Sequence, residues 1–158
     1  MISVTILTKN SAQHLEEVLL ALTSFEEVLI YDNGSTDATF EIAGKFKNCR
    51  IEKGPFKGFG PTHNIASALA KGDWILSIDS DEVPSQEMLQ EIRSLKLDPG
   101  SVYSFPRRNE FNGKWIYTCG WSPDRVTRLY NKSTTSFTDA LVHEGVRTEG
   151  LSVIPLTG

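Results

Sequence analysis

The stretch that decides the fold is WILSIDSDE, residues 74–82. Trp74–Ile78 is a short, almost continuously apolar run, which is typical of a strand buried on both faces of a parallel sheet. Asp79 and Asp81 follow two positions apart, so both carboxylates point to the same side while the backbone stays extended. The stretch therefore predicts a buried strand with acidic groups at its carboxyl end.

The residues before this strand alternate between strand and helix patterns. Each predicted strand is short and β-branched, and each predicted helix has an apolar stripe or a capping residue. The predicted strands are Ser3–Thr8, Glu27–Tyr31 and Cys49–Glu52. The predicted helices are Leu15–Leu22, capped by Asn10 or Ser11; a helix from Ser35 or Thr36 to about Phe46; and Thr62–Lys71, with Pro61 in its first turn.

The pattern changes after a helix expected from Ser85 to about Lys96, because the strands beyond it have no helices between them. These strands are Val102–Phe111, Lys114–Tyr117, Val126–Tyr130 and Leu151–Gly158. We interpret them as an antiparallel or mixed extension of the same sheet. The predicted fold class is thus α/β, with a mixed, mainly parallel sheet flanked by helices on both faces, in a single domain spanning residues 1–158.

Length and composition exclude several classes of protein. The 158 residues suit one domain, and the 39% apolar and 23% charged fractions are those of a globular chain. Sixteen basic and twenty acidic residues give a net charge of −4, which argues against nucleic acid as a partner. No apolar run approaches the roughly 20 residues of a membrane span, and the first residues lack the pattern of a secretory signal.

Three polar clusters follow the predicted strands, at residues 8–10, 32–37 and 79–82. The carboxyl ends of parallel strands meet at one edge of a sheet, where α/β proteins bind ligands near the switch point of strand order. Asp79 and Asp81 suit Mg²⁺ or Mn²⁺, because such cations prefer oxygen ligands and share carboxylates with substrate phosphates. The alternative is a solvated turn in which one aspartate caps the next helix.

Asp32 and the glycine-rich loop before the third helix are further candidates for nucleotide contact. Asp32 can accept a hydrogen bond from a base or ribose, or it can close an Asx turn without a ligand. Lys57, Gly58 and Gly60 can bring the backbone and a helix N-terminus close to an anion, or they can form a plain connecting loop.

Downstream, His143 and Glu144 place an imidazole next to a carboxylate. Side chains of adjacent strand residues point to opposite faces, so both reach one site only if the backbone turns there, which Gly145 permits. Otherwise His143 is structural and Glu144 is a surface charge. Four arginines, which either bind an anionic group or form surface ion pairs, are Arg107, Arg108, Arg125 and Arg128.

The chain resembles a family 2 glycosyltransferase of the GT-A fold. The resemblance covers about the first hundred residues and rests on segments in the family's order and spacing. They are residues 3–10 (SVTILTKN), 31–37 (YDNGSTD), 58–64 (GFGPTHN) and 74–82 (WILSIDSDE). The resemblance implies a nucleotide-sugar-binding half at residues 1–100 and an acceptor-side half at residues 101–158, with the family's acceptor-side helices expected after Gly158.

The resemblance also implies roles for individual residues. Thr8 and Asp32 are expected near the uridine, Asp79 toward the ribose, and Asp81 as the Mg²⁺ or Mn²⁺ ligand of an Asp-x-Asp (DXD) motif. Lys57 and Asn64 are expected among the residues that bind the nucleotide-sugar, and His143 as a second metal ligand.

The catalytic base is less clearly marked by the resemblance. Such enzymes typically invert the anomeric configuration, and a carboxylate removes the proton of the acceptor hydroxyl. Many relatives carry a Glu-Asp pair before a downstream arginine, whereas here Pro123 precedes Asp124. Asp124 and Glu144 therefore both stay candidates for the base, with Glu144 slightly favoured.

A narrower resemblance links residues 120–130 (GWSPDRVTRLY) and 142–144 (VHE) to lipopolysaccharide or lipooligosaccharide core β-1,4-glucosyltransferases. It implies transfer of a hexose, glucose in the first instance, from a UDP-sugar to a sugar hydroxyl of such a core or a related glycan. The expected partners are the nucleotide-sugar donor and a glycan or lipid-linked acceptor. The expected location is the cytoplasm, with peripheral contact at the cytoplasmic face of the inner membrane.

Two other functions stay open on the sequence alone. One is a nucleotide-sugar-binding module without activity, because the acceptor-side part is expected to continue past Gly158. The other is a haloacid-dehalogenase-like phosphatase, in which the Asp79 carboxylate would be the nucleophile of an Asp-x-Asp-x-Val motif. That motif normally lies on the first strand, whereas three predicted strands precede Asp79 here.

Overall fold

The computed structural model describes residues 1–111, 114–116, 124–142 and 144–157, in which strands and helices alternate from the N-terminus. The strands are β1 (Ile2–Thr8), β2 (Glu27–Asp32), β3 (Cys49–Lys53), β4 (Trp74–Ser77), β5 (Ser101–Arg107), β6 (Asn109–Phe111), β7 (Lys114–Ile116), β8 (Asp124–Asn131) and β9 (Ser152–Pro155). The helices are α1 (Leu15–Ala21), α2 (Thr39–Ala43), α3 (Phe59–Leu69) and α4 (Gln86–Ser94).

Seven strands form one sheet in the order β3-β2-β1-β4-β8-β5-β9. Strand β8 is antiparallel to both of its neighbours, β4 and β5, and the other pairs in this sheet are parallel. Strands β6 and β7 pair separately as an antiparallel hairpin. The predicted α/β fold, with a mainly parallel sheet and a mixed extension after α4, is confirmed.

Helices cover both faces of the sheet because the apolar residues of its strands alternate between two cores. Val28 and Ile30 of β2 belong to one core with residues of α1, α2 and α4, whereas Leu29 and Tyr31 belong to the other with residues of α3. Burial of a side chain such as Leu15, which is fully buried, stabilises the fold by about 1.5–3 kcal/mol.

Helix α1 begins at Leu15, later than a cap at Asn10 or Ser11 would place it. Asn10 adopts the left-handed backbone conformation, with φ of 55°, and its side chain accepts a hydrogen bond from the Thr36 amide at 2.8 Å. The Ser11 hydroxyl donates to Ser80 at 3.0 Å. The two predicted capping side chains therefore tie the strand ends together instead of capping α1.

Helix α2 is also shorter than predicted, because Ser35 and Thr36 do not cap it. The amide and hydroxyl of Ser35 both donate to Asp32. The Asp37 carboxylate, one residue before the N-cap Ala38, accepts from the Thr39 amide at 3.0 Å and from the Ala12 amide at 3.0 Å. Helix α4, predicted from Ser85, begins at Gln86, and the Ser85 hydroxyl caps it by accepting from the Met88 amide at 3.0 Å.

Within the described residues, no helix has both the length and the apolar character that a membrane crossing requires.

Candidate active site

The candidate site lies at the carboxyl edge of β1, β2 and β4, where the order of the strands reverses. Three hydrogen bonds bring the three polar clusters of the sequence together at this switch point. The Thr8 hydroxyl donates to Asp32 at 2.8 Å, the Thr36 amide donates to Asn10, and Ser11 donates to Ser80. The predicted convergence of these clusters is thus present in the structure.

Asp32 is buried, with 1% of its surface exposed, and its carboxylate receives four hydrogen bonds from within the chain. The donors are the Thr8 hydroxyl at 2.8 Å, the Gly34 amide at 2.9 Å, the Ser35 amide at 2.8 Å and the Ser35 hydroxyl. Burial raises the pKa of Asp32, but these hydrogen bonds outweigh it and leave the pKa below its ordinary value. Asp32 therefore organises the turn after β2, as the Asx-turn alternative describes.

The N-terminus of α3 packs against the segment at residues 138–141. The amides of Phe59 and Gly60 donate to the carbonyls of Leu141 and Ala140, each at 3.1 Å, and the Thr62 amide donates to the Gly58 carbonyl at 3.0 Å. The Phe59 and Gly60 amides are therefore already bonded within the chain, and the predicted approach of this helix N-terminus to an anion stays a prediction. The Lys57 side chain is exposed, and its amide donates to the Thr62 hydroxyl at 3.0 Å.

Asn64, which was expected in the nucleotide site, is bonded to Phe137 in both directions. Its Nδ2 donates to the Phe137 carbonyl at 3.1 Å, and its Oδ1 accepts from the Phe137 amide at 2.9 Å. The side chain therefore fastens the segment that leads to residue 144 onto α3.

A chain of alternating charges runs from the end of β4 to the paired ends of β5 and β8. Arg128 lies 2.6 Å from Asp79 and 3.8 Å from Glu82, and Arg107 lies 3.2 Å from Glu82 and 2.8 Å from Asp124. Burial and the charge of Asp79 raise the pKa of Glu82, against the opposing effects of Arg128 and Arg107. Asp79 and Asp124, both predicted site residues, thus belong to one ionic network.

Asp81 is exposed and makes no hydrogen bond or ion pair with any other described residue. The same residues contain no group of three His, Cys, Asp or Glu side chains placed to hold a metal ion. A single free carboxylate fits Mg²⁺ or Mn²⁺ that takes its remaining oxygen ligands from substrate phosphates and water. His143, the predicted second ligand, lies outside the described residues.

Glu144 lies near His63, a residue for which the sequence pattern predicts no role. His63 of α3 is buried, with 2% of its surface exposed, and its Nε2 is 3.9 Å from the Glu144 carboxylate. Burial and the Arg128 charge lower the pKa of His63 to about 4, although Asp79 opposes the shift. The only sequence signal for His63 is its place in GFGPTHN, where it precedes Asn64.

An open cleft of about 1270 Å³ borders this edge of the sheet. Its charged lining includes Asp79, Asp81, Glu82, Arg107, Arg108 and Arg128. Its lining does not include Thr8, Asp32 or Glu144, so the cleft lies on the β5 and β8 side of the Asp-x-Asp segment. The volume is sufficient for a ligand of nucleotide-sugar size.

A mainly parallel sheet with carboxylates and arginines at its switch point places the chain among the α/β proteins that bind ligands beyond the carboxyl ends of their strands. The particular family follows from comparison: the family model named Glycosyl transferase family 2 matches residues 3–148. The chain therefore belongs to glycosyl transferase family 2. The phosphatase alternative is not supported, because Asp79 follows the fourth strand and is paired with Arg128.

Curated relatives agree with this family. An uncharacterized glycosyltransferase of Rickettsia prowazekii is 30% identical over 145 residues, which cover 89% of this chain and 49% of the relative. The poly(ribitol-phosphate) beta-N-acetylglucosaminyltransferase TarS of Staphylococcus aureus is 30% identical over 125 residues, 72% of this chain and 22% of TarS. The chain thus spans about half the length of the rickettsial relative and 22% of the length of TarS.

Solved structures share the fold at lower identity. Staphylococcus aureus TarS in complex with UDP aligns with a TM-score of 0.67 and 24% identity, over 87% of this chain and 50% of that chain. Glucosyl-3-phosphoglycerate synthase from Mycobacterium tuberculosis in complex with UDP aligns with a TM-score of 0.57 and 23% identity, over 70% of this chain and 45% of that chain. At these identities, the likeness shows the fold alone.

Proposed function

We propose that this chain is the donor-binding and catalytic part of a metal-dependent, inverting hexosyltransferase that uses a UDP-sugar. The observation that carries the proposal is the meeting of the three polar clusters at the switch point, in a chain of glycosyl transferase family 2. In this proposal Thr8 and Asp32 would border the uridine, and Asp79 would face the ribose.

Asp81 is the residue that would hold Mg²⁺ or Mn²⁺, with His143 as a candidate second ligand. When bound, the cation neutralises charge on the leaving diphosphate. Asp81, which no other described residue binds, is available to a cation, whereas Asp79 is held in place by Arg128. The exposed Lys57 remains a candidate for diphosphate contact through its ammonium group.

In the proposed reaction, a carboxylate removes the proton from an acceptor sugar hydroxyl. The hydroxyl oxygen then forms a bond to the anomeric carbon as the bond from that carbon to the diphosphate oxygen breaks. The electron pair of the broken bond leaves with UDP, and the attack from the opposite side inverts the anomeric configuration.

Glu144 suits the role of base better than Asp124. The Arg107 Nε donates to Asp124 at 2.8 Å, so this carboxylate is already held in an ion pair. Glu144 has 17% of its side chain exposed and lies beside His63, whose low pKa keeps it neutral near pH 7. A neutral neighbour leaves the Glu144 carboxylate available to accept a proton.

The finer assignment is a hexose, glucose in the first instance, transferred to a lipopolysaccharide or lipooligosaccharide core or a related glycan. Its support is the resemblance of residues 120–130 and 142–144 to that branch of the family. The proposed location is the cytoplasmic face of the inner membrane, where a lipid-linked acceptor is presented.

A nucleotide-sugar-binding module without transfer activity is the second candidate. The observation that favours it is the lining of the cleft, which includes Asp79 and Asp81 but not the proposed base Glu144. Binding of UDP without turnover of any donor would select this candidate.

UDP release distinguishes these functions. The donors are UDP-glucose, UDP-galactose and UDP-N-acetylglucosamine, each with core oligosaccharide, in Mn²⁺ and in EDTA. We expect Mn²⁺-dependent release from one donor, enhanced by the acceptor, and loss of that release in Asp81→Asn. Release that is equal in EDTA, or that persists at the wild-type rate in Asp81→Asn, would contradict the proposed metal role.

A further inference from the structure

We propose that His63 is a positioning residue that holds the Glu144 carboxylate in place through its Nε2–H group. This inference rests on the proposed function, because it assumes that Glu144 is the base. It adds a residue of α3, more than 80 positions away in sequence, to the machinery of proton transfer.

Contacts on three sides fix the imidazole of His63. Its ring stacks on Phe137, with centroids 4.3 Å apart and an interplanar angle of 13°. Its Nδ1 lies 3.2 Å from the Ser77 hydroxyl of β4, and its Nε2 faces Glu144 at 3.9 Å. A ring held in this way has little freedom to rotate, so it can define the position of a neighbouring group.

The two ring nitrogens have different partners, and these partners assign the proton. A carboxylate only accepts hydrogen bonds, so the nitrogen that faces Glu144 is the one that carries hydrogen. Nδ1 is then the acceptor, and the Ser77 hydroxyl donates to it. The 3.9 Å separation is longer than a hydrogen bond, so the proposal requires the two groups to move closer when substrate binds.

Burial and the Arg128 charge favour the neutral form of His63, against the opposing charge of Asp79. Glu144 faces Nε2, Arg128 and Asp79 act on the ring through their charges, and burial and Arg128 together lower the pKa to about 4. A neutral imidazole can orient the carboxylate without placing a positive charge beside it. A lysine or arginine at this position would pair with Glu144 instead.

Asn64, the residue after His63 in α3, also binds the segment that begins at Phe137. Asn64 bonds the amide and carbonyl of Phe137, and Phe137 stacks on His63. The backbone of residues 137–141 is thus fixed relative to α3, and the His63 side chain reaches past it to Glu144. Fixing both the segment and its carboxylate from one helix is the arrangement expected of a preorganised site.

Three substitutions in the full-length protein separate positioning from packing. His63→Gln places an amide donor near the position of Nε2, His63→Asn places one near Nδ1, and His63→Leu removes both. We expect His63→Gln to keep kcat within about threefold, and the other two to lower kcat by about 10- to 100-fold with the donor KM unchanged. A purely structural role predicts that kcat follows thermal stability in all three.

One control variant and one further test variant accompany them. Ser67→Ala removes two buried hydrogen bonds of α3, the 2.6 Å contact with Tyr130 and the 2.8 Å bond to the His63 backbone carbonyl, but none to the His63 ring, so kcat should be unchanged. Ser77→Ala keeps His63 in place but frees Nδ1 to take the proton, so kcat should fall. Ser77→Ala keeps the proposal testable even if His63 variants fold poorly.

Glu144→Gln is measured in parallel, so that the two proposals fail separately. Wild-type kcat in Glu144→Gln would overturn the base assignment, and the positioning role with it. An inactive Glu144→Gln together with equal kcat in His63→Gln, His63→Asn and His63→Leu would overturn the positioning role alone. Unchanged kcat in Ser77→Ala would also overturn it.

Discussion

The Asp32 carboxylate accepts four hydrogen bonds, so we expect its replacement to lower the stability of the fold. In Asp32→Asn, the side-chain oxygen can still accept from the amides of Gly34 and Ser35, which both donate to Oδ1 in the wild type. The new NH2 group takes the place of Oδ2 and cannot accept from the hydroxyls of Thr8 and Ser35. We expect the free energy of unfolding at pH 7 to fall by about 1–3 kcal/mol. Urea unfolding of the variant and the wild type measures the change.

The acid sensitivity of the same variant provides a control. Because the pKa of Asp32 is lowered in the fold, its contribution is present above the ordinary value of 3.8 and is lost as the pH falls below that value. The stability difference between wild type and Asp32→Asn should therefore shrink below pH 4. A difference that is constant down to pH 3 would show that Asp32 does not bind these donors as a carboxylate.

His63 gives the molecule a second pH dependence at the scale of one residue. Its pKa is lowered from 6.5 to about 4, so the unfolded chain binds a proton more readily, and stability falls as the pH drops from 6.5 toward 4. At pH 5 this effect amounts to about 2 kcal/mol. In urea unfolding, the loss of unfolding free energy between pH 7 and pH 5 should therefore be smaller in His63→Gln than in the wild type. An equal loss in both proteins would contradict the burial of a neutral imidazole.

The residue types in the sequence predicted where the polar side chains of the site lie, but not the hydrogen bonds that each of them makes. Asp32 was identified as a candidate from its place after a strand, yet its partners come from Thr8 on another strand and from its own turn. His63 carries no signal of its own, because its role depends on Ser77 and Glu144, which only the folded chain brings near it. The residue types that stabilise a turn are the same as those that bind a ligand, so the sequence alone does not distinguish the two roles.

At the scale of elements, the start of α3 depends on Gly60. A Cβ at this position would lie 1.9 Å from the Thr138 carbonyl and 2.9 Å from the Ala140 carbonyl, and backbone atoms cannot move aside cheaply. Helix propensity alone predicts that Gly60→Ala stabilises by up to about 1 kcal/mol. The clash is the larger effect, so we expect a loss of about 1–3 kcal/mol and a lower kcat, as residues 138–141 are pushed from α3.

Gly100→Ala is the matched control for Gly60→Ala. A Cβ there meets only Asp98 side-chain atoms, the nearest at 3.5 Å, which is an ordinary contact. Thermal unfolding and UDP release should stay near wild type in Gly100→Ala. Equal stability of the two variants would contradict the close packing of α3 against residues 138–141.

The order of strands and helices was predictable from periodicity, whereas the helix starts were not. Strand β4 and helix α4 carry their own signals, an apolar run and a Ser85 cap, and both were located from sequence. Helix α3 begins at Phe59 rather than Thr62 because carbonyls of residues 140 and 141 accept its first amide hydrogen bonds. Such long-range partners leave no mark in the local sequence.

At the scale of the whole molecule, the sheet joins the two halves of the sequence at one edge. The N-terminal half supplies β1 to β4 and their polar clusters, and the later strands supply Arg107, Arg128 and Asp124. The ionic network from Asp79 to Asp124 crosses this junction, because β8 pairs with both β4 and β5. The mixed sheet was predictable, but the pairing of Asp79 with Arg128 was not, since 49 positions separate them.

Calorimetric titration of UDP tests the central claim, a metal-assisted nucleotide site at this edge, most directly. The titration is made into the wild type and Asp81→Asn, each in Mn²⁺ and in EDTA. We predict that Mn²⁺ strengthens UDP binding by the wild type at least about tenfold, or 1.4 kcal/mol, and that Asp81→Asn loses this gain while keeping its metal-free affinity. Equal UDP affinity of the wild type in Mn²⁺ and EDTA, or no UDP binding in either, would contradict the account.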